Sequence, residues 1–420
     1  MASADGGTGY AGSGAEARQW PAAGPSRVPN WVYTDPEIFA REQQRIFSGP
    51  SWLYACLEAE IPNPGDFRRS RLGSREVVAV RNAAGEVVVL VNRCAHRSMQ
   101  FCSANRGSAK EFTCPYHQWT YDLDGKLLGV PFRRGYRGEG GMPADFRPEE
   151  HGLERLAVAT RNGVVFASFA APNQTLEEYF GPRMLGWFDR VFSGRPLEVL
   201  GYHRQRIPSN WKLMFENIKD PYHASLLHVF LITFGLFRLD QESSMEMDDT
   251  GRHAVLVSRR GEQRINEATA QLSAFRGDFR LRDPRLIEPV REFPGDATVV
   301  MQTVWPNLIV QQQSNAMAMR QIVPLDAENF DLVWTVFGYA DDSPEMRQRR
   351  LRQGNLFGPA GLVSIDDSEA MLLSQAGIAG NDAQDCVVEM GGRDIANAPT
   401  MVTETLIRGF YQHYRAVMGL

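Results

Sequence analysis

Only five cysteines (Cys56, Cys94, Cys102, Cys114 and Cys386) occur in the 420 residues of the chain. So few, odd in number and irregularly spaced, they exclude a disulfide framework and point to a reducing compartment with thiols free to bind metal; the expected location is cytoplasmic. Strong net charge is also missing. The formal charge is −5 and the basic residues are dispersed apart from pairs such as Arg68-Arg69 and Arg133-Arg134, so no nucleic-acid partner is expected. No long apolar run is present either. The most apolar stretch, residues 226–237, is interrupted by His228, Thr233 and Gly235 and falls short of the about 20 residues a spanning helix needs. No membrane span is expected, and the stretch reads as a buried helix or the wall of a site. Residues 1–27, rich in Gly, Ala and Ser, lack the basic start and apolar centre of a secretory signal and read as a flexible tail.

What remains is an ordinary globular composition, 43% hydrophobic and 23% charged, at a length suited to two or three domains or to one large domain carrying an inserted one. Residues 52–170 read as β-structure. The β-branched runs 76–80 and 87–91 flank Asn82-Ala83-Ala84-Gly85, which suits a hairpin, and Asp124-Gly125 supplies a second tight turn. Residues 131–150, dense in Gly, Pro and charge, read as an irregular loop. Further on, helices are expected at 175–192, 211–219, 222–236, 343–356, 365–376 and 403–417, with strands at 253–259, 297–303, 307–313 and 332–339. Such interleaving implies an antiparallel sheet covered by helices, an α+β class. No internal repeat is visible.

Within the β region, Cys94-Ala95-His96 is followed, after seventeen residues, by Cys114-Pro115-Tyr116-His117. Two readings compete: a tetrahedral structural zinc, and a Rieske [2Fe–2S] centre in which one iron takes two thiolates and the other two imidazoles. Zinc fingers group Cys with Cys and His with His. Here each short segment offers one of each, which suits two opposed loops around a two-iron cluster. Cys102 has no paired His and reads as a small buried hydrophobe.

The second constellation runs from Asn210 to His228 and sets Asp220, His223 and His228 in an apolar helical context. A lone histidine there would be core; two beside a carboxylate suggest a metal site. Five residues at about 100° each would splay the two rings by roughly 140°, so a π-bulge or a break is needed to bring them onto one ion. Two imidazoles and a carboxylate form the facial triad of non-haem Fe(II) oxygenases. The best source of the third ligand is Asp366-Asp367, after Gly358-Pro359-Ala360-Gly361, although two acids at a helix start also suit its dipole.

Taken together, the constellations resemble the Rieske ring-hydroxylating oxygenase large subunits, over nearly the whole chain from about Arg27 to Leu420. The resemblance implies an α+β fold with an all-β Rieske domain inserted in a catalytic domain: tail 1–27, an N-terminal helix of the catalytic domain at 28–50, Rieske domain 51–170 and mononuclear iron domain 171–420. It implies Cys94, His96, Cys114 and His117 as cluster ligands, and His223, His228 and Asp367, rather than Asp366, as iron ligands. Asp220 becomes an electron-transfer bridge between cluster and iron, with Asn217 near the iron without ligating it. Stretches such as Ile207-Pro208-Ser209-Asn210-Trp211-Lys212-Leu213-Met214 look closest to salicylate 5-hydroxylase and anthranilate and terephthalate dioxygenases, whose substrates carry a ring carboxylate. Arg320, after Gln311-Gln312-Gln313, matches a carboxylate clamp of the terephthalate enzymes, with Gln312 as a second candidate contact. Met401 stands where a second clamping Arg is expected, which favours one carboxylate. Met214, Phe215, Leu226 and Leu227 are candidate pocket walls. Implied partners are a small β subunit in an α3β3 assembly and a ferredoxin and reductase delivering electrons from NAD(P)H. A non-catalytic Rieske electron carrier is the rival of another class.

Overall fold

The computed structural model describes residues 18–238, 241–260, 267–273 and 275–420. Its largest element is a seven-stranded antiparallel sheet in the order Leu197–Ile207, Phe330–Tyr339, Ala316–Pro324, Leu308–Gln313, Ala297–Val304, Ala254–Arg259, Glu242–Met247. Its five strands from Ala254–Arg259 to Phe330–Tyr339 lie in chain order, each pairing with the next. Helices Leu176–Val191, Trp211–Lys219, Pro344–Phe357, Ser364–Ile378 and Thr405–Met418 cover it. Three of the strands, Leu197–Ile207, Glu242–Met247 and Ala316–Pro324, escape the sequence reading. Ala316–Pro324 is buried on both faces and begins Ala-Met-Ala-Met, so it shows neither alternation nor β-branched enrichment.

Residues 53–168 form three small sheets. A four-stranded sheet runs Val87–Val91, Arg75–Arg81, Asp66–Leu72, Arg106–Ser108; Phe112–Thr113, Thr120–Tyr121 and Leu127–Gly129 form a second; Ala157–Arg161, Val164–Ser168 and Leu53–Leu57 form a third. The turn at Gly85, with φ +83°, closes the expected hairpin, where Arg81 pairs with Val87. Part of this region has its own apolar core, including Phe67, Val78, Phe101, Phe112, Trp119 and Tyr121.

The N-terminal segment differs from the expectation. Residues 1–17 of the tail lie outside the described residues, but its end is packed: Trp20 lies against Trp31, Tyr411 and Tyr414, and Arg27–Pro29 pairs with Asp385–Val387. The helix expected over 28–50 is present in a shorter, divided form: Trp31–Thr34 is followed, after Asp35, by the helix Pro36–Glu42, which runs on without a gap into a π-helical stretch at Gln43–Phe47. The aromatic content of Trp20 and Trp31 outweighs the small residues before them, because each large ring adds far more apolar burial than Gly or Ser.

The helix expected over 222–236 is interrupted. Asp220 accepts from the Tyr222 and His223 amides at 3.1 and 3.2 Å and, with Pro221 in the first turn, starts the helix Pro221–Leu227. His228, at φ −86° and ψ 92°, ends that helix and caps the next, Val229–Thr233. This break, rather than a π-bulge, resolves the splay that a regular helix would impose.

Candidate functional site

The two Cys/His loops are conformational copies of one another. In the first, the Cys94 amide donates to Met99 O and the Ser98 amide donates to Cys94 O, at 2.8 and 3.0 Å. In the second, the Cys114 amide donates to Trp119 O and the Gln118 amide to Cys114 O, both at 2.9 Å. Ser98 and Gln118, each four residues after its cysteine, both take positive φ, at 59° and 55°. The loops bring the His96 and His117 rings to 4.5 Å between centroids, with His96 stacked on Trp119.

Both thiols are buried. Burial raises the Cys114 thiol, and the neighbouring Cys94 thiol adds to the rise, so ionising both calls for a cation between them. Tyr121 Oη lies 3.2 Å from Cys94 Sγ and accepts from the Ala95 amide. His96 Nδ1 is buried without a hydrogen-bond partner. Two thiols on one side, two imidazoles on the other and an orphaned ring nitrogen fit a [2Fe–2S] cluster with two sulfur and two nitrogen ligands. Cys102 packs in the same small core, its Sγ 3.5 Å from Ala104 O, and is set apart from the two loops.

The second site lies between one face of the large sheet and the helices above it. Register places Leu256, Met301 and Gln311 on that face, with Val299 and Gln313 alongside, and pairs Arg320 directly with Trp334. All of them line one cavity with Asn217, Ile218, His223, Leu231, Phe237, Phe357, Val363, Ser364 and Asp367 from the covering segments. A potential ligand atom from each of His223, His228 and Asp367 lies within 4.8 Å of the other two. Asp367 Oδ1 is 3.4 Å from His223 Nε2, 3.2 Å from His228 Nε2 and 3.0 Å from Asn217 Nδ2, which donates to it. Asp366 lies behind, its Oδ2 3.1 Å from His228 Nδ1.

Burial alone would lower the His223 imidazole; the carboxylates of Asp220 and Asp367 outweigh it and hold it near 10. Burial would raise Asp367, but the two imidazoles pull it far below the usual carboxylate range. Two imidazoles and a carboxylate converging at this depth fit the two-histidine, one-carboxylate set that binds Fe(II) with positions left open.

Asp220 Oδ2 lies 3.4 Å from His223 Nδ1. Arg320 is buried, its Nη1 donating to Gln311 Oε1 at 3.2 Å and its guanidinium stacked 4.3 Å over Trp334. Gln312 does not line the cavity. On a strand, neighbours of 311 and 313 point the opposite way, and the Gln312 amide bonds the Thr298 and Ser314 carbonyls instead. Met401 is wholly buried among residues such as Phe357 and Leu406 and is also absent from the lining.

The expected wall residues are displaced as well. Met214 Sδ sits 3.9 Å from Arg320 Nη2 without lining the cavity, Phe215 stacks on Phe410, and Leu226 and Leu227 face outward. Gln311, Gln313, Trp334 and Ser364 line the cavity instead. Strand alternation would have separated Gln311 and Gln313 from Gln312, whereas nothing in the sequence marks Trp334 or Ser364.

A Cys2His2 loop pair and a separate two-histidine, one-carboxylate cluster on a helix-covered antiparallel sheet define a two-centre iron oxygenase subunit. The ring hydroxylating alpha subunit (catalytic domain) family matches residues 195–420 and the Rieske [2Fe-2S] domain matches residues 51–138; the chain belongs to the ring-hydroxylating oxygenase alpha subunits. It is 52% identical, over 96% of both chains, to the large oxygenase component of a salicylate 5-hydroxylase from Ralstonia sp. It is 44% identical, over 94% of both chains, to the large subunit of an anthranilate 1,2-dioxygenase from Burkholderia cepacia. A naphthalene 1,2-dioxygenase from Rhodococcus sp. shares the fold, with a TM-score of 0.78 at 22% identity over 93% of this chain and 94% of that one. The chain is therefore an enzyme subunit holding a Rieske cluster and a mononuclear iron; the zinc-protein and pure electron-carrier readings fall. Among the described residues no helix is long and apolar enough to cross a membrane.

Proposed function

We propose that the chain is the large subunit of a terminal oxygenase that hydroxylates an aromatic ring bearing one carboxylate, with 5-hydroxylation of salicylate to gentisate as the leading reaction. The observation that carries this reading is Arg320. It is a buried guanidinium with no carboxylate at ion-pair distance among the described residues, in the cavity that also holds His223, His228 and Asp367. Burial pulls it down to about 10, so it stays cationic at neutral pH. An unpaired buried charge is costly unless a ligand neutralises it, and a planar carboxylate does so with two charge-assisted hydrogen bonds. Among the described residues that line the cavity Arg320 is the one Arg or Lys, which supports one carboxylate rather than two. The 52% identity to a salicylate 5-hydroxylase component supports the substrate.

His223, His228 and Asp367 would hold the iron, and Cys94, His96, Cys114 and His117 the cluster. Bound together, the two centres supply electron transfer and O2 activation. The chain's own part is positional. Arg320 and Trp334 hold the carboxylate end, Leu231, Phe237, Leu256 and Met301 wall the ring and exclude water, and Asn217 braces Asp367 and His223.

In this reading Asp220 joins His223 to a cluster histidine of a neighbouring copy. Met99 and Tyr116, 41% and 57% exposed on the two cluster loops, offer the apolar rim that such a copy would cover. A small β subunit completing an α3β3 assembly, and a reductase and ferredoxin carrying electrons from NAD(P)H, belong to the same reading.

The test is product identification by mass spectrometry, with the chain, its small subunit, reductase, ferredoxin and NADH given salicylate, anthranilate, benzoate and terephthalate separately. Gentisate from salicylate is expected. No product from any of the four, with both iron centres loaded, would overturn the substrate class.

A further inference from the structure

A line of side chains crosses the sheet floor of the cavity and ends on the helix that carries Asp367. Gln311 accepts from Arg320; Arg320 stacks on Trp334, its register partner on the next strand. Trp334 pairs on its other side with His203, which puts Gln205, two residues on, on the same face. Trp334 Nε1 donates to Gln205 Oε1 at 3.1 Å. The same oxygen accepts from Ser364 Oγ at 3.2 Å, and Gln205 Nε2 donates to Ser368 Oγ at 3.1 Å. Ser364 and Ser368 flank Asp367 on the helix Ser364–Ile378, and Ser368 Oγ donates in turn to Ser364 O.

Gln205 is thus the junction between two parts of the site that the fold builds separately. On one side stands the Arg320–Trp334 platform, on strands; on the other stands the iron-binding carboxylate, in the first turn of a helix. Each of the three hydrogen bonds uses a different donor group, and one amide serves all three. A strand and a helix in contact through apolar groups alone can slide by fractions of an ångström, whereas this bonding fixes their separation.

We propose that Gln205 is a positioning residue that sets the distance between the anchored carboxylate of the substrate and the iron, and so selects the ring carbon that is hydroxylated. The inference rests on the aromatic-carboxylate reading. Gln205 touches neither substrate nor metal; it acts through Trp334 and through the Ser364–Ile378 helix. Because a displacement of about 1 Å suffices to change reaction geometry severely, loss of this junction moves selectivity before it moves affinity.

The experiment compares Gln205→Leu and Ser368→Ala with the unaltered protein as assembled with its small subunit. Ser368→Ala removes one bond from the helix side and keeps the test alive if Gln205→Leu folds poorly. Each protein is loaded with both iron centres, its iron content and thermal midpoint are measured, and salicylate affinity is taken by calorimetry. Dithionite-reduced protein is then mixed with substrate and O2 for one turnover, and the products are separated by chromatography. The expected result is unchanged iron content, affinity within about threefold, and a second hydroxylation position or hydrogen peroxide taking at least a tenth of the turnover. A single unchanged product with unchanged peroxide in both variants would overturn the proposal, as would loss of iron, which would make Gln205 a support of the metal site alone. An Arg320→Gln control separates the two levels of inference. If it binds salicylate as well as the unaltered protein does, the carboxylate reading fails, whatever Gln205 does.

Discussion

Asp366 and Asp367 engage opposite nitrogens of the same imidazole: Asp366 Oδ2 lies 3.1 Å from His228 Nδ1, and Asp367 Oδ1 lies 3.2 Å from His228 Nε2. Adjacent residues at the start of the Ser364–Ile378 helix thereby take different tasks. Asp367 faces the cavity and, in the proposed reading, would ligate the iron, whereas Asp366, on the outer side of the ring, would hold it so that Nε2 is free for the metal. Outer carboxylates of this kind strengthen metal binding about 10–100-fold. Asp366→Ala should therefore weaken mononuclear iron by about one to two orders of magnitude. Competition with a chelator reads the affinity, and the visible absorption of the cluster should stay intact.

Asp220 works at the hinge between two helices. Its Oδ1 caps the helix Pro221–Leu227 and its Oδ2 approaches His223 Nδ1 at 3.4 Å. Asp220→Ala should retain both metals and lose turnover coupled to electron delivery. Rapid-mixing spectroscopy, which follows reoxidation of the reduced cluster in the presence of substrate and O2, would show it; reoxidation at the unaltered rate would remove Asp220 from the electron path.

Much of this was legible because metal sites restrict residue type and spacing together. Cys94, His96, Cys114 and His117 stand out by mixed pairing, and His223 and His228 stand out because a five-residue interval demands a departure from regular helix. What spacing could not give was direction. Leu226 and Leu227, at the end of the helix Pro221–Leu227, face outward although apolar residues beside two candidate ligands suit a wall. The expectation of Gln312 fails because one residue along a strand reverses the side chain, so Gln311 and Gln313 line the cavity instead. Trp334 and Gln205 had no signal at all, since their role arises from register between strands distant in sequence.

The helix that ends at Asp220 is anchored by a buried ion pair. Lys212 Nζ lies 2.6 Å from Glu42 Oε1, both side chains fully buried, and Trp211 Nε1 and Tyr414 Oη also donate to Glu42. Removing one partner leaves the other charge uncompensated, at a cost of about 3–5 kcal/mol. Glu42→Ala should lower stability by that amount, read from the urea midpoint. A change below about 1 kcal/mol would mean that Lys212 loses its proton or gains water when Glu42 is gone.

Glu216 gives the fold a pH dependence of definite sign. Burial raises its carboxyl to about 7, against the lowering effect of the Tyr411 and Tyr33 hydroxyls that donate to it. A carboxyl whose folded value lies above its unfolded value of about 4.3 binds its proton more tightly when folded. Its contribution to stability is therefore fully present below that unfolded value and falls as the pH rises towards 7. Glu216→Gln keeps an oxygen acceptor for both tyrosines and removes the titration. The variant should equal the unaltered protein at low pH and exceed it progressively between about pH 4.3 and 7, measured as the difference in urea midpoints. Parallel profiles across that range would show that Glu216 titrates alike in the folded and unfolded chains.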